Sequence, residues 1–514
     1  MRRRLLAAGS VALMLGLTAC GGGSSTDDAT EGPDGTATGG TLTLAPVVVA
    51  QPWDLKDAGL GNNVTYYQPV YDQLFRLSPE AETGPNLATE WEYDEALTTL
   101  TVTLREDVVF TDGTPFNAEA VAANLMHTKT GTNEAANQLK SVESVDVVDE
   151  FTAAIHLSAP DPSLVSNLGN TAGMMACPDA LGTPELQTTP CGSGPYVLDE
   201  ANTTVDAKYT FIRNEDYWNT EAFPFDMVVL TPLTDSTAIL NALQSGQVDG
   251  ALITDSKNIA TVESAGLNTV QYSAGSIMGF YIWDRAGTIQ PALADVRVRQ
   301  AINYAFDRQA IIDTALLGLG SPHAQMFNAQ TVAYDEALND QYPYDPEKAM
   351  ELLAEAGYAD GFELVMPDLS AFNAGAQAAI VEQLGAVGIT VTLDAAPLDT
   401  VINDMLAGKW ATGFFQLDSF RPWDTIQIQL TPDALWNPFK YEDPIVTDLI
   451  NEAQMATGEE QDALFLELNT YIAEQAWNAP WTEAQATYAT STRVEVVPQN
   501  FSSVPALYNY SPAS

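Results

Sequence analysis

Residues 70–121 read VYDQLFRLSPEAETGPNLATEWEYDEALTTLTVTLREDVVFTDGTPFNAEAV and are the most informative part of the chain. From residue 100 to 105, apolar and polar residues alternate, the period of two that is typical of a strand with one buried face. Residues 112–115, DGTP, have the composition of a tight turn. Asn117 then stands where it can cap a helix over residues 118–125. The stretch therefore predicts a strand, a turn and a helix in close succession.

The same stretch resembles the extracytoplasmic solute-binding proteins of family 5, the oligopeptide and dipeptide type. Their pattern reads roughly YD-x-LF-x-L, then P-x-LA-x-x-W, then LR-x-x-V-x-F-x-DGTP-x-x-A-x-x-V. The residues that match it are Tyr71, Asp72, Leu74, Phe75, Leu77, Pro85, Leu87, Ala88, Trp91, Leu104, Arg105, Val108, Phe110, Asp112, Gly113, Thr114, Pro115, Ala118 and Val121. Further family-like runs are GSGPY at 192–196, NEDYW at 214–218, ALQSGQVD at 242–249 and DVRVRQAINYAFDRQAI at 295–311. The resemblance covers the chain from residue 41 to about residue 497.

The resemblance implies an α/β, bilobal, periplasmic-binding-protein-like fold, with a ligand enclosed between two lobes and an extra small domain inserted in the first lobe. A chain of 514 residues agrees with this, because single cores rarely grow beyond about 300 residues. We expect hinges near residues 279–281 and 481–488. The expected segments are a lipoprotein signal peptide (1–19), a lipidated, disordered tether (20–40), the first lobe (41–60, 185–279 and 487–514), the small domain (61–184) and the second lobe (280–486).

Local patterns predict the main elements of these lobes. Runs of β-branched and aromatic residues predict strands, and apolar residues spaced by three and four predict helices. The predicted strands are 41–49, 142–148, 151–157, 227–232, 248–253, 362–366 and 389–393. The predicted helices are 118–125, 235–244, 295–317, one beginning after Asp345, and 373–386. Arg297, Arg299 and Arg308 fall on the helix over 295–317, where we expect a solvated face with ion pairs.

The first 20 residues have the pattern of a bacterial lipoprotein signal. Three arginines precede an apolar run that is too short to span a bilayer, and residues 17–20, LTAC, resemble a lipobox. The polar, glycine-rich residues 21–40 are typical of a disordered linker. We therefore expect Cys20 to carry two acyl chains, which anchor a protein stably. A plain secretory signal with an incidental cysteine is the alternative.

The two remaining cysteines, Cys177 and Cys191, would lie in an oxidising compartment outside the cytoplasm. There we expect them to form a disulfide that stabilises the fold by about 3 kcal/mol. Two buried free thiols are the alternative.

The charge balance excludes one class of partner. With 20 Lys+Arg against 68 Asp+Glu, the formal net charge is −48. Such a chain repels nucleic acid and anionic membrane surfaces. We therefore expect no nucleic-acid partner, and contact with the membrane only through the lipid on Cys20.

An enzymatic function lacks recognisable parts. His127, His156 and His323 are not within helical or hairpin spacing of one another, and no zinc, disulfide-reductase, serine-hydrolase or nucleotide-binding motif occurs. The sequence therefore predicts a protein that is not an enzyme and has no catalytic residue, cofactor or metal site. A hydrolase that uses two carboxylates is the alternative from a different class, since 68 acids form many accidental pairs.

The ligand site is expected in residues 414–423, FFQLDSFRPW. The corresponding segment of the peptide-binding members resembles G-W-x-x-D-Y-x-[DE]-P, which Asp418 and Pro422 match. The resemblance implies that Asp418 binds the α-ammonium of a peptide, whereas a turn residue that bonds its own backbone is the alternative. Three positions depart from the pattern: Phe415 replaces the tryptophan, Ser419 the tyrosine and Arg421 the second acid.

A peptide would bind in an extended conformation along the main chain of residues 415–417, a form of strand addition. We assign Phe415, Gln416, Leu417, Asp418 and Trp423 to the substrate-binding site. A basic partner for a peptide carboxylate is not evident from the sequence. Tryptophans at 410, 423 and 436 leave open a stacked oligosaccharide, although core packing explains each of them equally well.

Together these features predict a substrate-binding lipoprotein of an ABC importer. It would capture a short peptide between two lobes and deliver it to a membrane permease driven by a separate ATPase, because this chain has no nucleotide-binding loop. We expect a monomer on the outer face of the bacterial cytoplasmic membrane, or in the periplasm. The alternative ligand is an oligosaccharide or another non-peptide solute, including a metal chelate.

Overall fold

The computed structural model describes residues 39–50, 52–395 and 397–513. The signal peptide, Cys20 and nearly all of the tether lie outside these residues. The strands are β1 (Thr41–Ala45), β2 (Phe75–Leu77), β3 (Thr83–Pro85), β4 (Ala88–Tyr93), β5 (Thr99–Leu104), β6 (Val142–Asp149), β7 (Thr152–Leu157), β8 (Tyr196–Leu198), β9 (Tyr209–Arg213), β10 (Met227–Leu230), β11 (Gly250–Leu252), β12 (Asn268–Ile282), β13 (Phe362–Pro367), β14 (Ile389–Asp394), β15 (Thr412–Asp418), β16 (Asn478–Thr490), β17 (Val494–Val496) and β18 (Tyr510–Pro512).

Most α-helices lie in the second half of the chain. Within the described ranges, none is long and apolar enough to cross a membrane. The helices are α1 (Val64–Tyr67), α2 (Ala118–Thr128), α3 (Glu134–Gln138), α4 (Leu164–Asn167), α5 (Ser236–Gln244), α6 (Ile259–Ser264), α7 (Val296–Ala305), α8 (Arg308–Ala315), α9 (Pro346–Glu355), α10 (Ala374–Ala386), α11 (Val401–Leu406), α12 (Pro422–Thr425), α13 (Pro444–Met455) and α14 (Gly458–Glu474).

An eight-stranded sheet runs through the molecule in the order β15-β12-β16-β11-β1-β10-β9-β8. Strand β1 pairs in parallel with β10 and β11, and the other pairs are antiparallel. The two longest strands, β12 and β16, pair with each other over most of their length. Their register shifts near Gly279, inside the segment predicted as a hinge. These two strands therefore connect the two ends of the sheet, where the lobes lie.

The opening stretch of the sequence builds a separate core. Strands β4, β5, β7 and β6 form a four-stranded sheet, and the alternating apolar residues of β5 are buried against α2. The amide of Ala120 donates to the side chain of Asn117 at 3.0 Å, which confirms the predicted cap. This core belongs to the part of the chain predicted as the small domain. We keep the names small domain, first lobe and second lobe for the predicted ranges, whose boundaries stay predictions.

The family-like run GSGPY packs directly on the opening stretch. A Cβ atom added at Gly194 would lie 2.4 Å from the carbonyl carbon of Val70, so only glycine fits there. Just before this run, Cys177 and Cys191 form a disulfide with their Cα atoms 5.4 Å apart. The close contact at Gly194 and the disulfide hold in place the segment by which the chain leaves the small domain.

Asp72 connects two further runs of the family pattern. Its buried carboxylate accepts hydrogen bonds from the hydroxyl of Tyr217 at 3.0 Å, the indole N–H of Trp218 at 2.8 Å and the amide of Asn86 at 3.4 Å. Burial raises the pKa of Asp72 to about 6, although these three hydrogen bonds act in the opposite direction. The YD and NEDYW runs are therefore two halves of one polar cluster.

The predicted strand–helix–strand units are both confirmed, with small differences at their ends. In the first, β10 and β11 flank β1, and Asp235 caps α5 by accepting from the amide of Ala238 at 2.9 Å. In the second, β13 and β14 form a separate parallel pair beside α10. The predicted strand over 41–49 is shorter, because β1 ends at Ala45.

The single helix predicted over residues 295–317 is wrong. The chain forms α7 and α8, which are separated at Phe306. Phe306 adopts an extended conformation and is fully buried against Phe280 and Trp481, with ring centroids 5.5 and 5.4 Å away. Asp307 then caps α8 by accepting from the amide of Ala310 at 2.9 Å. Burial of one aromatic ring thus interrupts a helical pattern that continues in the sequence.

The prediction of a solvated helix face with ion pairs is also wrong for two of the three arginines. Arg299 and Arg308 are only 3% and 6% exposed. Arg299 donates to the carbonyl of Gln475 just after α14, and Arg308 to the carbonyl of Pro480 in β16. These carbonyls are buried main-chain groups that need donors. Only Arg297 is well exposed and paired with a carboxylate.

Candidate functional site

Strand β15 carries the predicted ligand site at one edge of the large sheet. It pairs with β12 from Ser276 opposite Asp418 to Ile282 opposite Thr412. Among the described residues, no strand pairs with its other edge. An unpaired edge presents main-chain N–H and C=O groups that can pair with another extended chain. The geometry is therefore suited to strand addition.

Side chains alternate along β15, so the predicted site residues separate into two groups. Gln416 and Asp418 are exposed, and the amide of Gln416 donates to the hydroxyl of Ser276 at 2.9 Å. Leu417 is buried, as is Trp423 in α12, and each belongs to a hydrophobic core cluster. The side chains of Leu417 and Trp423 are therefore not available to a ligand. Only the main chain of Leu417 remains a candidate contact.

Asp418 has an unpartnered carboxylate. Its main-chain carbonyl accepts from the amide of Gln429 at 2.9 Å, but no described residue donates to or pairs with its side chain. The alternative of a turn residue bonded to its own backbone is therefore wrong. Although Asp418 is open to solvent, desolvation by the surrounding protein raises the pKa of its carboxyl, and the charge of Glu134 adds to this. The carboxylate thus lies at the surface, in partly desolvated surroundings, rather than in the core.

Glu134 is the acid whose charge reaches Asp418. It begins α3 in the small domain, and its carboxylate accepts from the amide of Leu60 at 2.7 Å. Glu134 comes from a different part of the fold, and its charge is close enough to raise the pKa of Asp418. A second negative charge nearby disfavours ionisation of the Asp418 carboxyl.

Aromatic side chains continue the surface beside β15. The ring of Phe415 lies 5.9 Å from that of exposed Phe372 and 5.0 Å from that of half-buried Trp436, measured between centroids. Trp410, by contrast, is buried and donates its indole N–H to Asp394. Of the three tryptophans considered for sugar stacking, only Trp436 is thus partly exposed. The surface is better suited to apolar side chains than to a series of stacked sugars.

The sequence did not predict the surroundings of Arg421. Its side chain is 20% exposed, and its nearest carboxylate oxygen, on Asp424, is 3.9 Å away. Asp424 instead accepts a 2.6 Å hydrogen bond from the hydroxyl of Ser163 in the small domain. A second contact, from the amide of Gln454 to the carbonyl of Pro160 at 2.8 Å, joins the same two parts. The departure from the family pattern at Arg421 was the one signal in the sequence.

The histidines and cysteines form no alternative centre in the described part of the chain. His127 contacts Asp54 at 2.6 Å and His156 contacts Asp146 at 3.1 Å, on different surfaces. Burial lowers the pKa of His323 to about 4, so it is neutral at physiological pH. Asp112 lies beside both cysteine sulfurs, but these are consumed in the disulfide and are not thiolate ligands.

The sequence of this chain is similar to those of known bacterial solute-binding proteins. The sequence model described as "Bacterial extracellular solute-binding proteins, family 5 Middle" matches residues 82–434. The chain is 32% identical over 328 residues to the glutathione-binding protein GsiB of Salmonella typhimurium, which covers 61% of this chain. The matched region is 60% of the length of GsiB, so this chain spans about three fifths of the length of such curated relatives.

Solved structures show the fold. HbpA2 from Haemophilus parasuis superposes with a TM-score of 0.83 at 22% identity, covering 92% of this chain and 100% of that one. DppA from Helicobacter pylori, in complex with the peptide STSA, gives 0.71 at 20% identity, covering 93% and 99%. The predicted bilobal α/β fold of periplasmic binding proteins is therefore confirmed.

Proposed function

The chain belongs to the bacterial extracellular solute-binding proteins of family 5, and from this premise we propose that it captures a short peptide for an ABC importer. The peptide would lie between the lobes and pass to a membrane permease powered by a separate ATPase. A lipid on Cys20 would hold a monomer at the outer face of the cytoplasmic membrane, or in the periplasm.

The observation that carries this proposal is the free carboxylate of Asp418 at the end of an unpaired strand edge. A peptide ammonium would meet this carboxylate, while the peptide main chain would pair with β15 near Phe415 and Gln416. Glu134, whose charge reaches Asp418, adds a second negative charge. The site thus provides both parts of peptide recognition, a strand to pair with and an acid for the amino terminus.

The fold also supports closure of the lobes on the ligand. Strands β12 and β16 are the segments that pass between them, and their pairing is irregular between Ser273 and Gly279. Such irregularity in two neighbouring strands provides a hinge. Small-angle scattering should show compaction when a saturating ligand is added, and an unchanged radius would contradict closure.

The test of peptide capture is a titration of the purified protein against a defined panel. The peptides are glutathione, which the relative GsiB is named for, the dipeptide Met-Leu and the tetrapeptide Ser-Thr-Ser-Ala. Maltotriose and Fe(III)-EDTA represent the sugar and metal-chelate alternatives. We expect binding of at least one peptide and of neither alternative, with the recovered peptide intact by mass spectrometry. Cleavage of the peptide would instead favour the hydrolase.

Asp418→Asn tests the contact itself. It keeps the shape and removes the charge, and loss of one partner of an enclosed ion pair costs on the order of 3–5 kcal/mol, so affinity should fall at least about a hundredfold. N-acetylation of the peptide should weaken wild-type binding similarly and add little to the loss in the variant. Asp433→Asn, which removes an exposed acid paired with Lys440 in the same lobe, is the matched control and should bind normally.

A further inference from the structure

We propose that the small domain acts as a latch on the second lobe, through residues 160–163 on one side and α12 and α13 on the other. The latch would form when the lobes close and would slow the release of the ligand. This inference rests on the proposed closure of the lobes and goes beyond ligand recognition. It gives the small domain a part in holding the ligand that requires no contact with it.

The latch consists of two hydrogen bonds that meet one short segment of the small domain. The hydroxyl of Ser163 donates to the carboxylate of Asp424 in α12 at 2.6 Å. The side-chain amide of Gln454 in α13 donates to the main-chain carbonyl of Pro160 at 2.8 Å. Within the described ranges, no other hydrogen bond joins the small domain to the second lobe. Separation of these two parts therefore has to break two hydrogen bonds.

The segment that carries Ser163 is held firmly from within the small domain. The carboxylate of Asp161 accepts from the hydroxyl of Ser141 at 2.6 Å and from the amide of Ser163 at 3.0 Å. The carbonyl of Ser163 accepts from the amide of Asn167 at 2.8 Å, and only 3% of Ser163 is exposed. The hydroxyl of Ser163 thus has a fixed position from which it donates to Asp424.

The small domain is joined to the first lobe by buried contacts, so these two parts should move together. The buried carboxylate of Asp72 accepts from Tyr217 and Trp218 of the first lobe, and His127 contacts Asp54 of the first lobe at 2.6 Å. The second lobe is instead continuous with the first lobe through β12 and β16, whose pairing is irregular. A rotation about these two strands would therefore make or break the contacts with α12 and α13.

The charges at the contact suit a latch that opens and closes. A hydrogen bond to an ionised acceptor such as Asp424 is stronger than one between neutral groups. Against this, burial raises the pKa of the Asp161 carboxyl and the charge of Asp424 adds to the rise, so two acids approach one another where the parts meet. Arg421, 3.9 Å from the second oxygen of Asp424, offsets their repulsion in part. A small polar contact of this kind allows the parts to move.

The experiment measures release of the ligand by stopped-flow fluorescence, with the compound of the titration panel that binds wild type most tightly. Ser163→Asp places a second carboxylate against Asp424, so release should become at least about tenfold faster while association is unchanged. Combined with Asp424→Asn, which supplies an amide donor to the new carboxylate, it should return towards the wild-type rate. Ser144→Asp adds the same charge at an exposed position of β6 and is the matched control, which should release the ligand normally.

Two results would overturn the latch. An unchanged release rate in Ser163→Asp would show that the contact persists when the lobes open. Losses that add in the double variant, instead of compensating, would show that the two side chains only support their own elements. Should Ser163→Asp not fold, Gln454→Ala replaces it, because Gln454 is partly exposed and its loss removes the second hydrogen bond. Release should then be about fivefold faster, and an unchanged rate would refute the latch.

Failure of peptide capture would be recognised separately. If maltotriose or Fe(III)-EDTA binds wild type and the peptides do not, peptide capture falls. The latch makes no contact with the ligand in this proposal, so the same variants should speed the release of that compound as well. An unchanged rate for that compound would refute the latch also.

Discussion

The buried carboxyl of Asp72 should make stability depend on pH in a direction opposite to that of most acids. Its pKa is about 6 in the folded protein against 3.8 in the unfolded chain. The folded state therefore binds this proton more tightly, and the contribution to stability is fully present below pH 4. This stabilising contribution is lost as the pH rises through 6. The difference between these two pKa values corresponds to about 3 kcal/mol.

Asp72→Asn removes this titration and keeps the size of the side chain. The free energy of unfolding of the variant, relative to wild type, should therefore rise by about 3 kcal/mol between pH 4 and pH 7. Urea unfolding at four pH values, followed by tryptophan fluorescence, measures this difference directly. Because Trp218 donates to Asp72 at 2.8 Å, its emission reports on the same cluster.

Asp94→Asn is the control for this experiment. Asp94 is exposed, and hydrogen bonds from the amide of Thr99 and then of Thr98 lower its pKa. The stability of Asp94→Asn relative to wild type should therefore fall, not rise, as the pH increases. A relative stability of Asp72→Asn that stays constant from pH 4 to pH 7 would refute the reasoning. It would mean that the hydrogen bonds from Tyr217 and Trp218 compensate for burial completely.

Three further outcomes follow from other parts of the chain. Replacing Cys177 and Cys191 by serine should lower the free energy of unfolding by about 3 kcal/mol for a loop of this length, and an unchanged urea midpoint would contradict it. Gly279→Ala should destabilise by about 1–3 kcal/mol, because its Cβ would lie 2.6 Å from the Cα of Pro480, and a stable variant would show that β12 and β16 separate freely. Cys20→Ser should release the protein into the medium, and its retention in the membrane fraction would refute the lipid anchor.

Much of the fold could be read from local patterns. The cap at Asn117 and the alternation in β5 were predictable because each depends on residues that are near in sequence. The break at Phe306 was not, since α7 and α8 carry one continuous helical pattern. Only the pocket formed by Phe280 and Trp481, which come from β12 and β16, explains why the chain leaves the helix there.

The candidate site, too, was predictable from the sequence only in part. The sequence predicted Asp418 as a ligand contact and an extended peptide along residues 415–417, because the family pattern is a local one. It could not show that Leu417 and Trp423 face the core, since that depends on which face of each element packs inward. Nor could it show that the charge of Glu134, a residue from another part of the fold, raises the pKa of Asp418.

By itself, the sequence determined the family and many of the local elements, which are recorded in short runs of neighbouring residues, and it predicted the ligand segment from the same kind of run. The tertiary structure alone decided which partners the charged side chains have. Arg299 and Arg308 donate to carbonyls far away in the chain, whereas Arg421 lies 3.9 Å from the carboxylate of Asp424. The physical reason is that the state of a charged side chain depends on burial and on partners brought together only by folding.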